Sequence, residues 1–273
     1  MMPINLVLVR HGQSEGNKAK RMSEAGDNSA FTEGFKKRHS SSFRLTDLGK
    51  RQASVIGQWL RAEFYGTFGW PHCFDRYYVS EYVRAIETAG LMDLPDAHWK
   101  KDFYLTERNW GDLDICPEEE REEKFGEALR RREVQPFFWK PPNGESFVEL
   151  CLRVDRVLHT LHRECSDQNV IAVCHGEVMR AFQVRLERTS QERFKELTFS
   201  KEKWDRIYNC QAIHYTRREP ITGKLENHAN WVRSVRIAPN GGERSTGWQF
   251  INRVTYTNDE LLATAALEPA MLV

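Results

Sequence analysis

Short apolar runs alternating with helical stretches predict an α/β fold, a three-layer sandwich with a mostly parallel central sheet flanked by helices. Two observations carry most of this. Residues 4–9 (Ile-Asn-Leu-Val-Leu-Val) and 169–174 (Asn-Val-Ile-Ala-Val-Cys) are brief apolar runs of the kind buried within a sheet. The first is followed by Arg10 and the pair His11-Gly12, the second directly by His175-Gly176, where a strand would turn into a helix. A third observation is the stretch after Thr46, which places Leu48, Gln52, Val55, Ile56, Trp59, Leu60 and Phe64 on one helical face behind a capping threonine.

Further along, the aromatic and β-branched run around Tyr77, Tyr78 and Val79 predicts a strand that yields to a helix capped by Ser80. Residues 99–105 read as another strand. Residues 117–133 read as a solvated helix, with Pro117 and three glutamates at its start and Arg130, Arg131 and Arg132 at its end, in the order that suits the helix dipole. Residues 232–237 alternate apolar and basic side chains as an exposed strand would, 239–242 is a turn, and 261–267 a short helix.

The strand ends carry the chemistry. In open α/β sheets, ligands bind beyond the carboxyl ends of strands, where helix N-termini attract anions. Two His-Gly pairs at parallel strand ends would flank one ligand, and Arg10 precedes the first. Arg84, one helical turn past Ser80, can reach the same edge and bind phosphate through paired N–H donors. A partly buried carboxyl with a raised pKa would protonate a leaving alkoxide, and Glu107 and Glu177 both qualify.

These residues, with Ser14 and Asn17, the Leu45-Thr46-Asp47-Leu48-Gly49 stretch, Thr88-Ala89, Arg108 and Asn143-Gly144-Glu145-Ser146, resemble the histidine phosphatase superfamily, and more narrowly its phosphoglycerate mutase-like branch. The resemblance covers about residues 4–215. It implies that His11 is the nucleophile that becomes phosphohistidine, that Arg10, Arg84, His175 and Asn17 hold the phosphoryl oxygens, and that Glu107 is the proton donor. Ser14, Gly176 and Arg108 would complete the substrate-binding set. Only neutral imidazole is nucleophilic, and neighbouring arginines disfavour the imidazolium. Two arginines and a second histidine supply the charge stabilisation that phosphoryl transfer needs, so the constellation calls for no metal and no other cofactor.

The 273 residues are 40% apolar and 29% charged with a net charge of +1, which argues against broad nucleic-acid or membrane-surface binding. There is no apolar run of transmembrane length and no signal-peptide pattern, so a cytoplasmic protein is expected. Six scattered cysteines without a Cys-x-x-Cys pair read as reduced thiols. His159 and His162 lack partners of metal-ligand spacing.

We read residues 1–215 as the catalytic domain, with a lid-like insertion at about 18–44 that holds seven basic against three acidic residues. Residues 216–273 form an extension packed on the same domain, without a recognisable motif. The stretch between Arg108 and Asn143 is shorter than in the mutases, which leaves a phosphohistidine more open to water. The expected activity is therefore hydrolysis of a small phosphomonoester, with phosphoglycerate mutation or related phosphotransfer as the alternative. A catalytically inactive phosphate-binding or scaffold protein is the alternative of another class. Self-association into a homo-oligomer is also compatible with the sequence.

Overall fold

The structure, a computed structural model, describes residues 1–67, 73–238 and 240–267. In chain order the elements are β1 (Asn5–Arg10), α1 (Glu15–Glu24), α2 (Glu33–Lys36), α3 (Asp47–Arg61), β2 (Arg76–Ser80), α4 (Val83–Leu91), β3 (Trp99–Asp102), α5 (Glu118–Val134), α6 (Phe147–Glu164), β4 (Asn169–Cys174), α7 (Gly176–Glu187), α8 (Gln191–Phe199), β5 (Ala212–Thr216), β6 (Trp231–Ile237), β7 (Glu243–Ser245), β8 (Gln249–Phe250) and α9 (Asn258–Leu267). The sheet runs β3-β2-β4-β1-β5-β6-β7, with β8 also paired to β6. Its core β3-β2-β4-β1 is parallel, while β5 joins β1 antiparallel and opens an antiparallel extension.

Both faces of the parallel core are covered, which is why its strands read as nearly continuous apolar runs. Alternate residues face opposite layers. Leu6, Leu8, Val170, Ala172 and Cys174 pack with Leu150, Val154, Met179 and Phe182 of α6 and α7. Val7, Val9, Val79, Ile171 and Val173 pack with Ile56, Leu60, Ala85 and Ala89 of α3 and α4. Thr46 caps α3 as expected, its Oγ1 accepting from Gly49 N at 3.1 Å. The fully buried face of α3 is nonetheless Gly49, Ala53, Ile56, Gly57 and Leu60, and Phe64 reaches the core from a π-helical turn beyond the helix end.

Three local expectations are corrected. Ser80 does not cap α4: the helix starts at Val83 behind Tyr82, and the serine hydroxyl is used elsewhere. The strand read over 99–105 stops at Asp102, whose Oδ1 accepts from Tyr104 N at 2.8 Å and closes a 3₁₀ turn over Phe103–Leu105. The alternating run in β6 is not an exposed edge, since β5 lies on one side and β7 and β8 on the other. Its Arg233 is largely buried, paired with Glu63 and stacked on Trp248 at 4.5 Å. Charged side chains at alternate positions of a strand mark a wet face only when no second layer covers them. The helix over 117–133 is present as α5, and the one at 261–267 begins earlier, at Asn258. Pro239 of the expected turn lies outside the described residues, although Ala238 N bonds Gly242 O across it at 2.8 Å.

Residues 18–44 are largely ordered by local structure. α1 continues to Glu24, α2 follows a cap at Thr32, and a 3₁₀ turn over Ser40–Ser42 leads to α3. Lys36 pairs with Glu120 of α5 at 2.7 Å and Arg44 with Glu87 of α4 at 2.6 Å.

Candidate active site

Three chain segments converge at the carboxyl edge of the parallel core. Arg10 is in register with Cys174, and Val79 with Val173, so His11, Ser80 and His175 emerge side by side. The His11 and His175 rings are both buried, with centroids 5.0 Å apart.

His11 Nδ1 lies 2.7 Å from the Gly12 carbonyl oxygen. A carbonyl only accepts, so the hydrogen-bond network assigns the proton to Nδ1 and leaves the Nε2 lone pair for the cavity. Arg84 Nε donates to that Nε2 at 3.2 Å. Burial, then the charges of Arg84 and Arg10, hold the His11 pKa well below 6.5, so the imidazole is neutral. The loop that carries it is tied on several sides. Gly12 N donates to Thr88 Oγ1 at 3.0 Å, and Asn209 Nδ2 donates to His11 O at 3.0 Å. Against α3 the approach is so close that a Cβ on Gly49 would lie 2.1 Å from Gln13 O, which accounts for glycine at that position.

Arg84 donates from Nη1 to Ser40 O at 2.7 Å and stacks on the Tyr82 ring at 4.8 Å. Arg10 donates from Nη1 to Ile207 O at 2.6 Å. Arg10 Nε and His175 Nδ1 are buried without a hydrogen-bond partner among the described residues. Leaving a buried polar group unpaired costs about 1–3 kcal/mol, and an oxyanion placed between these atoms would satisfy both. His175 is itself the N-cap of α7 and gives that helix no side-chain cap, so the first turn presents its N–H groups where an anion is favoured. Gly176 packs against the Arg10 side chain, whose Nε would lie 3.4 Å from a Cβ placed there, an ordinary contact distance.

Glu107 follows the 3₁₀ turn over Phe103–Leu105. Arg153 braces its loop, donating to Tyr104 O at 2.6 Å and Thr106 O at 2.7 Å while pairing with Glu145 at 2.9 Å. The Gly-Glu-Ser motif is therefore a brace, and its Ser146 caps α6. Glu107 Oε2 lies 3.9 Å from His175 Nδ1. Burial, opposed by Arg84, raises the Glu107 pKa to about 7. Glu177 instead pairs with Arg108 at 3.4 Å and is 34% exposed. Of the two carboxyls left open by the sequence, Glu107 stands beside the imidazoles.

The other expected site residues divide. Ser14 and Asn17 line the cavity but also form the capping box of α1, and Asn17 Oδ1 takes a bond from Asn209 Nδ2 at 3.0 Å. That leaves Asn17 Nδ2 as the end able to donate to an anion. Arg108 lines the cavity wall, yet its guanidinium is turned to protein, donating to Glu145 O at 2.9 Å and Trp139 O at 3.2 Å besides the Glu177 pair. It shapes the wall more than it offers donors. Nothing in the local sequence pattern marks Asn209, which reaches the His11 loop only because β5 lies beside β1. Tyr82 and the Ser40 carbonyl, which orient Arg84, were equally silent.

The cavity measures about 370 Å³. It is also lined by Lys20 of α1, Arg121 and Arg132 of α5, and the rings of Phe31, Phe35 and Trp110. Residues 18–44 thus form part of the wall.

The ligand atoms of His11, Glu107 and His175 lie within 4.8 Å of one another, a spacing that could surround an ion. His11 Nε2 already accepts from a guanidinium and Arg10 shares the wall, so fixed positive charge opposes a cation there. Arg84→Ala is expected to lower kcat/KM for phosphate-ester cleavage by roughly 100-fold to 1000-fold, the size expected for one preorganised charge stabiliser. Steady-state kinetics checks this, and an unchanged value would remove Arg84 from the site's chemistry.

The chain belongs to the histidine phosphatase superfamily, branch 1, whose family model matches residues 6–209. It is 33% identical over 199 residues to a 2,3-bisphosphoglycerate-dependent phosphoglycerate mutase of Cytophaga hutchinsonii, a match covering 70% of this chain and 80% of that protein. It is 27% identical over 178 residues to 6-phosphofructo-2-kinase/fructose-2,6-bisphosphatase 1 of Mus musculus, covering 65% of this chain but 31% of that longer protein. Among solved structures it is similar to a mycobacterial glucosyl-3-phosphoglycerate phosphatase, with a TM-score of 0.59 and 17% identity over 92% of this chain and 99% of that one. The alpha-ribazole phosphatase from Shigella flexneri gives a TM-score of 0.59 and 20% identity over 82% and 96% of the two chains. At these identities the likeness to the solved structures is one of fold. Among the described residues no helix is long and apolar enough to cross a membrane.

Proposed function

We propose that this chain is a metal-independent phosphomonoester hydrolase that works through a phosphohistidine at His11. The observation that carries the reading is the Nε2 lone pair of a neutral, buried imidazole facing a cavity with the buried Arg84, the half-buried Arg10 and a carboxyl of pKa about 7. His11 Nε2 attacks phosphorus as the ester P–O bond breaks. Arg10, Arg84 and His175 hold the phosphoryl oxygens, and protonated Glu107 gives its proton to the leaving oxygen. The resulting Glu107 carboxylate then takes a proton from the water that attacks phosphohistidine, which restores both groups and releases phosphate.

The leaving group is a small metabolite, and Lys20, Arg121 and Arg132 in the cavity wall favour one that bears a further negative charge. Arg132 makes no hydrogen bond or ion pair among the described residues and stacks over Trp110 at 5.3 Å. Arg132→Ala is expected to raise KM about tenfold or more for 3-phosphoglycerate and to leave glycerol 3-phosphate nearly unchanged, since a charge-assisted bond contributes about 1.5–3 kcal/mol. Equal effects on the two esters would place the arginine outside the substrate's reach. A cytoplasmic setting is part of the reading, supported by thiols at Cys116, Cys151, Cys165, Cys174 and Cys210.

The second reading, phosphoglycerate mutation, is favoured by the named activity of the 33%-identical relative. A panel of phosphomonoesters incubated in chelator, with free phosphate and isomerised product both followed, separates the two. Phosphate release supports the hydrolase. Isomerisation with little free phosphate overturns it, and a strict metal requirement contradicts the proposed site.

A further inference from the structure

We infer that Ser80 is a positioning residue that fixes which nitrogen of His175 carries the proton, so that this buried imidazole serves as a neutral hydrogen-bond donor to the transferring group. Ser80 is fully buried, and its Oγ lies 2.7 Å from His175 Nε2. The same Oγ accepts from Tyr82 N at 3.3 Å. A hydroxyl has one proton to give, and the imidazole nitrogen is the acceptor it meets among the described residues. If Nε2 carried the proton instead, the buried hydroxyl hydrogen would have nowhere to go, at the cost of an unsatisfied donor. Ser80 therefore donates, Nε2 accepts, and the proton of neutral His175 sits on Nδ1.

Nδ1 is buried and has no hydrogen-bond partner among the described residues, lying 3.9 Å from Glu107 and so beyond hydrogen-bond reach of it. His11 and His175 thus hold the same tautomer and offer opposite ends to the cavity. His11 spends its N–H on Gly12 O and presents a lone pair, whereas His175 spends its lone pair on Ser80 and presents an N–H. Neutrality of His175 is consistent with its burial and with the positive charges of Arg84, Arg10 and Arg153 around it. The other groups facing the ring are His11, at 5.0 Å between centroids, and Tyr82, at 5.2 Å. The wrong tautomer would aim a lone pair at a phosphoryl oxygen, and the site would lose one donor and gain one repulsion.

The catalytic consequence rests on the proposed phosphatase reading, but the tautomer does not. Long-range proton–nitrogen correlation spectra of the full chain, labelled at its nine histidines and assigned with a His175→Gln variant, read the tautomer directly. The expected spectrum has a protonated Nδ1 and an unprotonated Nε2 at His175. In Ser80→Ala the two nitrogen shifts are expected to move toward each other as the tautomers mix, and kcat to fall about tenfold, the size of one hydrogen bond. A protonated Nε2 in the unmodified protein overturns the inference, as does a Ser80→Ala spectrum that keeps the original tautomer. If Ser80→Ala does not fold, the unmodified protein decides. If the chain cleaves no phosphomonoester, the phosphatase reading fails while the spectrum still tests Ser80.

Discussion

His11→Ala is expected to lower phosphate release by on the order of 10⁴-fold or more, with substrate binding largely retained. The alanine removes the imidazole, and with it the acceptor of Arg84 Nε, but leaves the other anchors of the phosphoryl pocket in place. Arg10 keeps its bond to Ile207 O, Arg84 keeps Ser40 O, and the bonds that hold the loop use the backbone of residues 11 and 12. Water attacking directly would have to approach through the space the imidazole occupied, without the covalent intermediate that divides one difficult displacement into two. The measurement pairs steady-state phosphate release with retention of labelled phosphate on the protein after an alkaline quench. The unmodified chain should hold label that acid removes, and the variant should hold none. A variant that turns over at the original rate would place the nucleophile elsewhere.

Glu107→Gln is expected to lower kcat by roughly 10²-fold to 10⁴-fold for alkyl phosphates, and much less for an activated aryl ester whose leaving oxygen needs no proton. The pH dependence follows from the raised pKa. Glu107 must be protonated when the ester bond breaks, and its protonated fraction falls as pH rises through about 7. On the acid side, the substrate becomes a dianion as pH rises through about 6. His11 adds no limb near neutrality, because its pKa lies well below 6.5. The profile of kcat/KM should therefore peak between about 6 and 7, and Glu107→Gln should erase the alkaline limb. An unchanged alkaline limb in the variant would assign that limb to another group.

The same carboxyl bears on stability. Its folded pKa of about 7 lies above the ordinary 4.5, so the folded state binds the proton more tightly than the unfolded one. The penalty for ionising it in place is absent below about 4.5 and reaches its full size, about 3 kcal/mol, above about 7. Glu107→Gln should accordingly melt higher than the unmodified chain at pH 8 and alike at pH 4, even as it loses activity.

The parallel core was legible because burial on both faces writes itself as unbroken apolar runs, and Arg10, His11, Arg84 and His175 were legible because they sit at or just beyond the ends of such runs. Ser80 was assigned to the wrong neighbour. A serine at a strand end before a helix has the composition of a cap, and only the register of β2 against β4 reveals the imidazole next to it. The inward turn of the Arg108 guanidinium was hidden for a similar reason, since its Trp139 and Glu177 partners come from separate segments. Asn209 and the burial of Arg233 depend on antiparallel pairing across long sequence separations, which local patterns do not encode.

The placement of β1 between β4 and β5 also has a consequence in time. Translation makes β1 well before its two neighbours, Asn169–Cys174 and Ala212–Thr216. At 5–20 residues per second, the first strand waits on the order of 10–40 s for the last of them to leave the ribosome. During that interval Asn209 cannot secure the His11 loop, and an apolar strand with two unpaired edges must be kept from pairing with other nascent chains. The strand that leads into His11 is thus made before both of its sheet partners and is locked into place only when the second of them has emerged.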